Sequence, residues 1–192
     1  MSRTLPIALA LAVVPLLGIS LRAVAQEGHV LEFGPYVGYF DFDRLNQMDD
    51  GFMAGIRVGV HGTPWLNFEM EFDEVYTSRH ISENRARQIS LAGHVRFEPW
   101  QMNIAPTLLA GAALVAYDDE DDPDAYGDAY DLGVGVRWAA RATWFVRAEW
   151  MLRGQSFRLY ETSAAGGTLV SSDAGPKTLW SRTLRIGVAY VF

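Results

Sequence analysis

Residues 183–192 read Thr-Leu-Arg-Ile-Gly-Val-Ala-Tyr-Val-Phe, and this stretch decides the fold class. Large apolar side chains occupy every second position, and the positions between them include Thr183, Arg185 and Gly187. A period of two places the two sets on opposite faces of a β-strand, so one face is apolar and the other carries a charge. The apolar set is Leu184, Ile186, Val188, Tyr190 and Phe192.

The same alternation recurs along the chain and predicts seven further strands. The fifth of the eight strands is apolar in both of its rows. The pattern therefore does not predict which of its two rows points into the barrel. The seven segments cover residues 31–39, 52–61, 66–73, 88–98, 102–117, 131–138 and 146–153.

The links between the predicted strands alternate in length. Three are short turns, at Gly62–Pro64, Pro99–Gln101 and Ala139–Thr143. Four are longer and polar, at Asp43–Asp50, Thr77–Ala86, Asp118–Asp128 and Glu161–Lys177. Short turns at one rim and long loops at the other are typical of an up-and-down barrel. We therefore predict an all-β, eight-stranded antiparallel barrel.

The first 25 residues have the features of an export signal. Arg3 precedes the apolar run Leu5–Leu21, and small residues follow at Ala23 and Ala25. We predict a signal peptide over 1–25 and a barrel domain over 26–192; an uncleaved membrane-anchoring helix is the alternative. No later segment has about 18 consecutive apolar residues, so the remaining chain has no candidate helical span.

Composition excludes several classes of function. The formal net charge of −7 argues against a nucleic-acid partner, because phosphate binding needs a concentrated basic face. The chain has no cysteine, which excludes disulfides, thiolate metal sites and cysteine nucleophiles.

The charged rows indicate which face of each strand contacts lipid and which face points into the lumen. If they faced lipid, a basic residue near the bilayer midplane would cost about 2–4 kcal/mol, and the total would exceed roughly 10 kcal/mol. We therefore expect the apolar rows to face lipid and the charges to pair inside a narrow, plugged lumen, because an unpaired buried ion is costly. The predicted lumen network is Glu32, Arg57, Glu69, Glu71, Arg96, Asp131, Arg137, Arg147, Glu149, Arg153 and Arg185.

Aromatic residues support a membrane barrel over a soluble, lipocalin-like one. Trp65, Trp100 and Trp144 each lie at one of the three short turns, as expected of an aromatic girdle at headgroup depth. The final strand ends on Phe192, and a closing strand with a terminal aromatic resembles the assembly signal of outer-membrane barrels. We assign that signal to Leu184, Ile186, Val188, Tyr190 and Phe192.

With these features placed, the chain resembles the small outer-membrane β-barrel family typified by the OmpA and OmpX barrels. The resemblance runs from Gly34–Gly38 to Arg185–Phe192 and includes the turn Thr63–Trp65 and the stretch Val146–Glu149. It implies a membrane-integrity or surface-interaction protein. It also implies membrane lipid, lipopolysaccharide and the barrel-assembly machinery as partners, with no cofactor. The resemblance does not extend to the peptidoglycan-binding domain of full-length OmpA, so we do not expect tethering to the cell wall.

Three features are candidate chemical sites. His80-Ile81-Ser82-Glu83 is similar to the His-x-Ser motif of outer-membrane lipid A deacylases, but it lies mid-chain. The acidic run Asp118–Asp128 has carboxylates suited to Ca²⁺ but lacks EF-hand spacing. His61 and His94 stand alone in sequence, so we interpret them as hydrogen-bonded lumen residues. We assign no catalytic, cofactor or metal residue.

The leading hypothesis is a non-enzymatic barrel with a structural or surface-interaction role. A small porin-like passive channel and a lipid A-modifying enzyme are the alternatives.

Overall fold

The structure is a computed structural model. It describes residues 31–42, 48–78, 85–100, 102–119, 125–141, 143–165 and 168–192, with side chains described in the same ranges except at 118, 119, 125 and 157–177. The predicted signal peptide over 1–25 lies outside the described residues.

Eight strands form one closed barrel, which confirms the predicted fold class. Each strand pairs antiparallel with its neighbour in sequence, and β1 pairs with β8 to close the sheet. The strands are β1 (Leu31–Asp41), β2 (Gly51–Thr63), β3 (Leu66–Ser78), β4 (Arg85–Phe97), β5 (Ile104–Asp119), β6 (Ala125–Arg141), β7 (Trp144–Ala165) and β8 (Thr168–Val191). We call the rim with the three short turns the turn side and the opposite rim the loop side.

Burial alternates along the strands as the period of two requires. In β4, every second residue from Ala86 to Arg96 is buried, while Leu91, Val95 and Phe97 are exposed on the outer face. The alternation also gives β5 its facing, which the sequence left open. Leu109 and Val115 point into the barrel, and Leu108 and Leu114 point outward. Its pairing with β4 and β6 sets this choice, because adjacent strands must place their inward rows on the same face.

The longest predicted loop is largely strand instead. Strands β7 and β8 continue through the segment predicted as the loop Glu161–Lys177, and they pair from Tyr160↔Asp173 to Ala165↔Thr168. The polar composition of this segment favoured a loop, but hairpin pairing is made by the backbone and needs no apolar face. The sequence Gly166-Gly167 between the strands is a hairpin signal that the loop prediction did not use. We call residues 157–165 and 168–177 the ribbon.

The ribbon extends past the strands on either side of it. The last register pair between β6 and β7 is Asp128↔Ser156, and the last between β1 and β8 is Asp41↔Arg182. Within the described part of the chain, the ribbon strands therefore pair with each other alone.

The seam between β1 and β8 has an irregularity on its turn side. Register pairs Phe33↔Tyr190 and Tyr36↔Gly187 flank Gly34 and Pro35, which have no partner in the described register of this seam. Proline has no N–H to donate to a neighbouring strand. A side chain at Gly34 would collide with the carbonyl oxygen of Val188, so the close approach of the two backbones requires glycine here.

Aromatic side chains lie at both rims of the outer face. Trp65, Trp100 and Trp144 are exposed on the turn side. Trp144 stacks edge-on with Tyr190 at a ring distance of 5.0 Å, and Tyr190 stacks with Phe192 at 4.8 Å. On the loop side, the exposed aromatic residues include Tyr39, Tyr76, Tyr126 and Tyr130. In the described part of the chain, no helix is long and apolar enough to cross a membrane.

Candidate functional site: the lumen of the barrel

The interior of the barrel is the place where charged side chains converge. Arg57, Arg96 and Arg185 are at most 2% exposed, whereas the outward Ile186 is 54% exposed. Their neighbours in sequence are apolar and outward, so the strand pleat alone turns each guanidinium inward. The barrel thus has a charged interior and an apolar exterior, the reverse of a soluble protein.

The turn-side part of the lumen is organised around two arginines. Arg96 on β4 reaches Glu32 on β1 at 3.1 Å and Glu98 at 2.8 Å, and it also bonds Glu69. Arg147 on β7 contacts Glu69 at 2.7 Å and also pairs with Glu32. These pairs join strands on different sides of the barrel. A further pair at the same level is Arg137 Nε to Glu98 Oε2 at 2.7 Å.

The middle of the lumen is built around Glu149 on β7. Its carboxylate accepts from Arg57 Nη1 on β2 at 3.1 Å and from Arg185 Nε on β8 at 2.7 Å. Arg185 also bonds Glu71 on β3. Both guanidiniums lie over the ring of Tyr36, at 4.7 Å for Arg57 and 5.0 Å for Arg185. Tyr36 therefore supports two cations that share one carboxylate.

A histidine connects the middle of the lumen to the next layer. His94 Nε2 lies 2.9 Å from Asp131 Oδ2, and His94 Nδ1 lies 3.3 Å from Glu71 Oε2. Asp131 is also held by Arg153, whose Nε and Nη2 lie 2.7 and 2.9 Å from its two oxygens. Arg153 Nη1 donates to Ser90 at 3.1 Å, and Ser90 in turn donates to Asp73 at 2.5 Å. We call these linked groups, from Glu98 to Asp73, the charged network.

The loop-side part of the lumen is apolar. Phe40 and Phe42 stack there with ring centroids 4.5 Å apart, and both are buried. Met48, in the segment between β1 and β2, packs against the same cluster. The inward row thus changes from charged to apolar over its last two or three positions before the loops. We call this group the apolar cap: Phe40, Phe42, Met53, Val75, Val115 and Leu179.

Neutral polar side chains lie near the boundary between the two parts. The hydroxyl of Tyr117 lies 2.7 Å from Oε1 of both Gln88 and Gln155. Gln155 Nε2 donates to Gln88 Oε1 at 3.2 Å. These buried amides carry no charge, and their hydrogen bonds are made to each other and to Tyr117. They form a neutral polar layer between the charged network and the apolar part of the lumen.

The structure places all eleven of the predicted lumen residues inside the barrel, each with at least one oppositely charged partner. Asp73 and Glu98 also lie on these inward rows, within the predicted strands, but were left out of the predicted ion-pair network. His94 was predicted as a hydrogen-bonded lumen residue and not as a member of that network, which the prediction kept to acidic residues and arginines. The prediction also missed the apolar cap, although Phe40 lies on the row of Glu32 and Tyr36.

The other candidate sites add no chemistry within the described residues. The motif His80–Glu83 and residues 120–124 of the acidic run lie outside them, and the side chains of Asp118 and Asp119 are not described. His61 Nε2 lies 3.3 Å from Glu32, near the turn-side mouth of the lumen. Across the described part of the chain, no group of three or more His, Asp or Glu side chains is arranged to hold a metal ion.

Comparisons with known proteins agree with this architecture. The family model described as "Outer membrane protein beta-barrel domain" matches residues 9–192. No curated protein sequence matches the chain at a significant level.

Solved structures give the same fold. Neisserial surface protein A aligns with a TM-score of 0.64 and 16% identity, over 86% of this chain and 100% of that one. A major outer membrane protein of Thermus thermophilus aligns at 0.54 and 11%, over 85% and 100%. OprG of Pseudomonas aeruginosa aligns at 0.51 and 11%, over 87% and 98%. On the match of the family model to nearly its whole length, this chain belongs to the outer membrane protein beta-barrel domain family.

Proposed function

We propose that this protein is a non-catalytic outer-membrane barrel with a closed lumen and a structural or surface-interaction role. The observation that supports closure is the continuous filling of the interior, from Glu98 near the turn side to the apolar cap. An eight-stranded barrel is just wide enough for side chains to fill it. Separating a buried guanidinium from its carboxylates costs about 3–5 kcal/mol, because it leaves an uncompensated charge in the lumen. The charged network should therefore resist any rearrangement that would open a pore.

Planar bilayer conductance tests closure. The purified protein should give no discrete, reproducible current steps, and liposomes that contain it should not swell in isotonic sugar. Flotation of the protein together with the liposomes controls for insertion into the bilayer. Discrete steps with the unchanged protein would favour the porin-like channel instead.

The absence of catalysis is part of the same proposal. Of the histidines that the structure describes, His94 is buried between two carboxylates and His61 faces Glu32, which supports a structural role for both in the lumen. Expression in a Gram-negative host should leave the mass spectrum of lipid A unchanged. If the spectrum shifts and His80→Ala abolishes the shift, the enzymatic alternative is correct.

The ribbon supports a role at the cell surface, since it carries backbone beyond the barrel on the loop side. Removal of the ribbon distinguishes a structural role of the barrel from a surface-interaction role of the ribbon. A variant in which residues 159–174 are replaced by a two-residue Asn-Gly turn keeps the barrel strands. We expect this variant to restore detergent resistance to a strain that lacks the protein if the barrel itself serves membrane integrity. Failure to restore it would assign the role to the ribbon.

Export and assembly complete the proposal. Residues 1–25 would direct export and then be removed. The intact mass of the protein purified from outer membranes tests whether they have been cleaved. The outward row Leu184, Ile186, Val188, Tyr190 and Phe192 would be read by the barrel-assembly machinery. Deletion of Phe192 should lower the folded fraction in the membrane, and a Phe192→Tyr control should not.

A further inference from the structure

His94 on β4 is a buried histidine whose two ring nitrogens both face carboxylates. Nε2 lies 2.9 Å from Asp131 Oδ2 on β6, and Nδ1 lies 3.3 Å from Glu71 Oε2 on β3. A neutral imidazole has one N–H and one lone pair, so it can donate to one carboxylate while its lone pair faces the other. An imidazolium has two N–H groups, one for each carboxylate. The surroundings of His94 therefore fit the charged form of the ring.

The strands around His94 supply charges of both signs. Strand β5 adds none, because its described inward row has no charged residue and places Gly111 opposite His94. The guanidiniums on β7 and β8 reach His94 only through the two carboxylates that they already hold. The charged side chains linked to His94 by register, by contact or through a shared carboxylate are Glu69 and Glu71 on β3, Arg57 on β2, Asp131 on β6, Arg153 on β7 and Arg185 on β8, and Arg96 lies two residues further along β4.

Among the residues that the structure describes, the charged network has one more carboxylate than guanidiniums. The seven carboxylates are those of Glu32, Glu69, Glu71, Asp73, Glu98, Asp131 and Glu149. The six guanidiniums are those of Arg57, Arg96, Arg137, Arg147, Arg153 and Arg185. An uncompensated charge is costly inside a narrow lumen. A cation at His94 makes the two numbers equal, and it does so between two of the carboxylates.

His61, near the turn-side mouth of the lumen, has surroundings that a neutral ring satisfies. Its Nε2 lies 3.3 Å from Glu32, and 24% of its side chain is exposed. With its amide nitrogen turned toward this ring, Asn67 donates to His61 Nδ1 at 2.7 Å, and its amide oxygen then accepts from Arg96 Nη2 at 3.1 Å. One nitrogen of His61 therefore donates and the other accepts. This contrast makes His61 the matched control for His94.

We propose that His94 is an imidazolium at neutral pH and the seventh cation of the charged network, so that alkaline pH weakens the middle of the lumen. Deprotonation releases one N–H proton to solvent and leaves a lone pair facing Glu71 or Asp131. In the unfolded chain histidine titrates near pH ~6.5, so the stabilisation is complete below that pH and is lost as the folded ring deprotonates at higher pH. The inference goes beyond the proposed function, because it holds whether or not the lumen conducts.

Nitrogen-15 NMR of the full-length protein, labelled at histidine and held in neutral detergent micelles, tests the charge without any variant. At about pH 7.5, both ring nitrogens of His94 should give the chemical shift and proton coupling of a protonated nitrogen. One of them should lose these features only at a more alkaline pH. A ring with one unprotonated nitrogen at about pH 7.5 would overturn the proposal and would mean that a protonated carboxylate balances the network instead.

Urea unfolding in phosphatidylcholine vesicles measures what the charge contributes. At about pH 7, the unfolding constant of His94→Gln should exceed that of the unchanged protein, and the ratio of the two constants should shrink at least tenfold by about pH 9.5. For His61→Gln, the same ratio should change less than twofold over this range. A ratio for His94→Gln that does not depend on pH, or an equal change in the control, would contradict a charged His94.

A second substitution that restores equal numbers of charges separates charge from hydrogen bonding. Glu71→Gln removes one carboxylate, and Arg57 and Arg185 both keep Glu149. At about pH 7, Glu71→Gln should raise the unfolding constant at least tenfold less in the His94→Gln protein than in the unchanged protein. This coupling should largely disappear at about pH 9.5, where His94 is neutral in both states of the chain. Coupling of the same size at both pH values would assign it to a hydrogen bond and overturn the proposal.

Discussion

The two parts of the lumen are filled by different physical means. In the charged network, Arg185 reaches the carboxylate of Glu149 from the neighbouring strand β8, and Arg57 reaches the same carboxylate across the lumen from β2. In the apolar cap, Phe40 and Val115 are equally buried but make contacts without direction. Both parts fill the barrel interior, yet a substitution in one part should change the free energy of unfolding by a different amount from a substitution in the other.

The difference follows from what each group loses when its partner is removed. A buried ion without its partner keeps its desolvation cost, and no relaxation of the neighbours supplies an opposite charge. A shortened apolar side chain leaves a cavity that its neighbours partly fill. We therefore expect the charged network to be intolerant of single changes and the apolar cap to tolerate swaps that conserve volume.

The largest effect is expected for Arg185→Met. The change removes the guanidinium that bonds Glu71, which keeps only Arg57 at 4.0 Å and His94 at 3.3 Å, and it leaves Glu149 with Arg57 alone. The free energy of unfolding should therefore fall by about 3–5 kcal/mol. Urea unfolding in lipid vesicles, followed by tryptophan fluorescence, measures it.

The matched control is Arg182→Met on the same strand. This arginine is 69% exposed and pairs with the half-exposed Asp41, so the loss should be about 0–1 kcal/mol. Similar losses for the two variants would mean that burial of the charge does not matter, and the contrast between the lumen regions would fail.

A smaller effect is expected for Phe40→Leu in the apolar cap. Phe40 is fully buried, and the smaller side chain should cost about 1–2 kcal/mol as its neighbours partly close the cavity. Met53→Leu, which conserves volume, should cost less than about 1.5 kcal/mol. The same unfolding assay applies. A loss for Phe40→Leu that exceeds the loss for Arg185→Met would reverse the ranking of the two regions.

The smallest effect concerns the seam beside Pro35. Tyr36 on β1 and Arg185 on β8 meet across this seam, near the positions without register pairs. In the unchanged protein, the backbone amide of Val188, which faces β1 beside Gly34 and Pro35, should exchange hydrogen several-fold faster than the amides of Met70 and Gly93 in the regular β3–β4 wall. Hydrogen-exchange NMR in micelles measures both. Equal rates would mean that the positions without register pairs do not weaken this seam.

Much of the charged network could be predicted because a strand leaves few choices. Glu69 and Glu71 alternate with Phe68 and Phe72, and the cost of placing carboxylates in lipid leaves the lumen as their one destination. That reasoning could not predict which arginine pairs with which carboxylate. Arg57 and Glu149 are 92 residues apart, and their contact depends on how the closed sheet is sheared.

The sequence alone determined that eight alternating strands close into a barrel with charges inside, because the period of two and the cost of charge in hydrocarbon act on each strand separately. The tertiary structure decided the facing of β5, the partner of each arginine, the apolar cap and the length of the ribbon. These depend on the register between strands, and register is a property of the assembled sheet that no single strand contains.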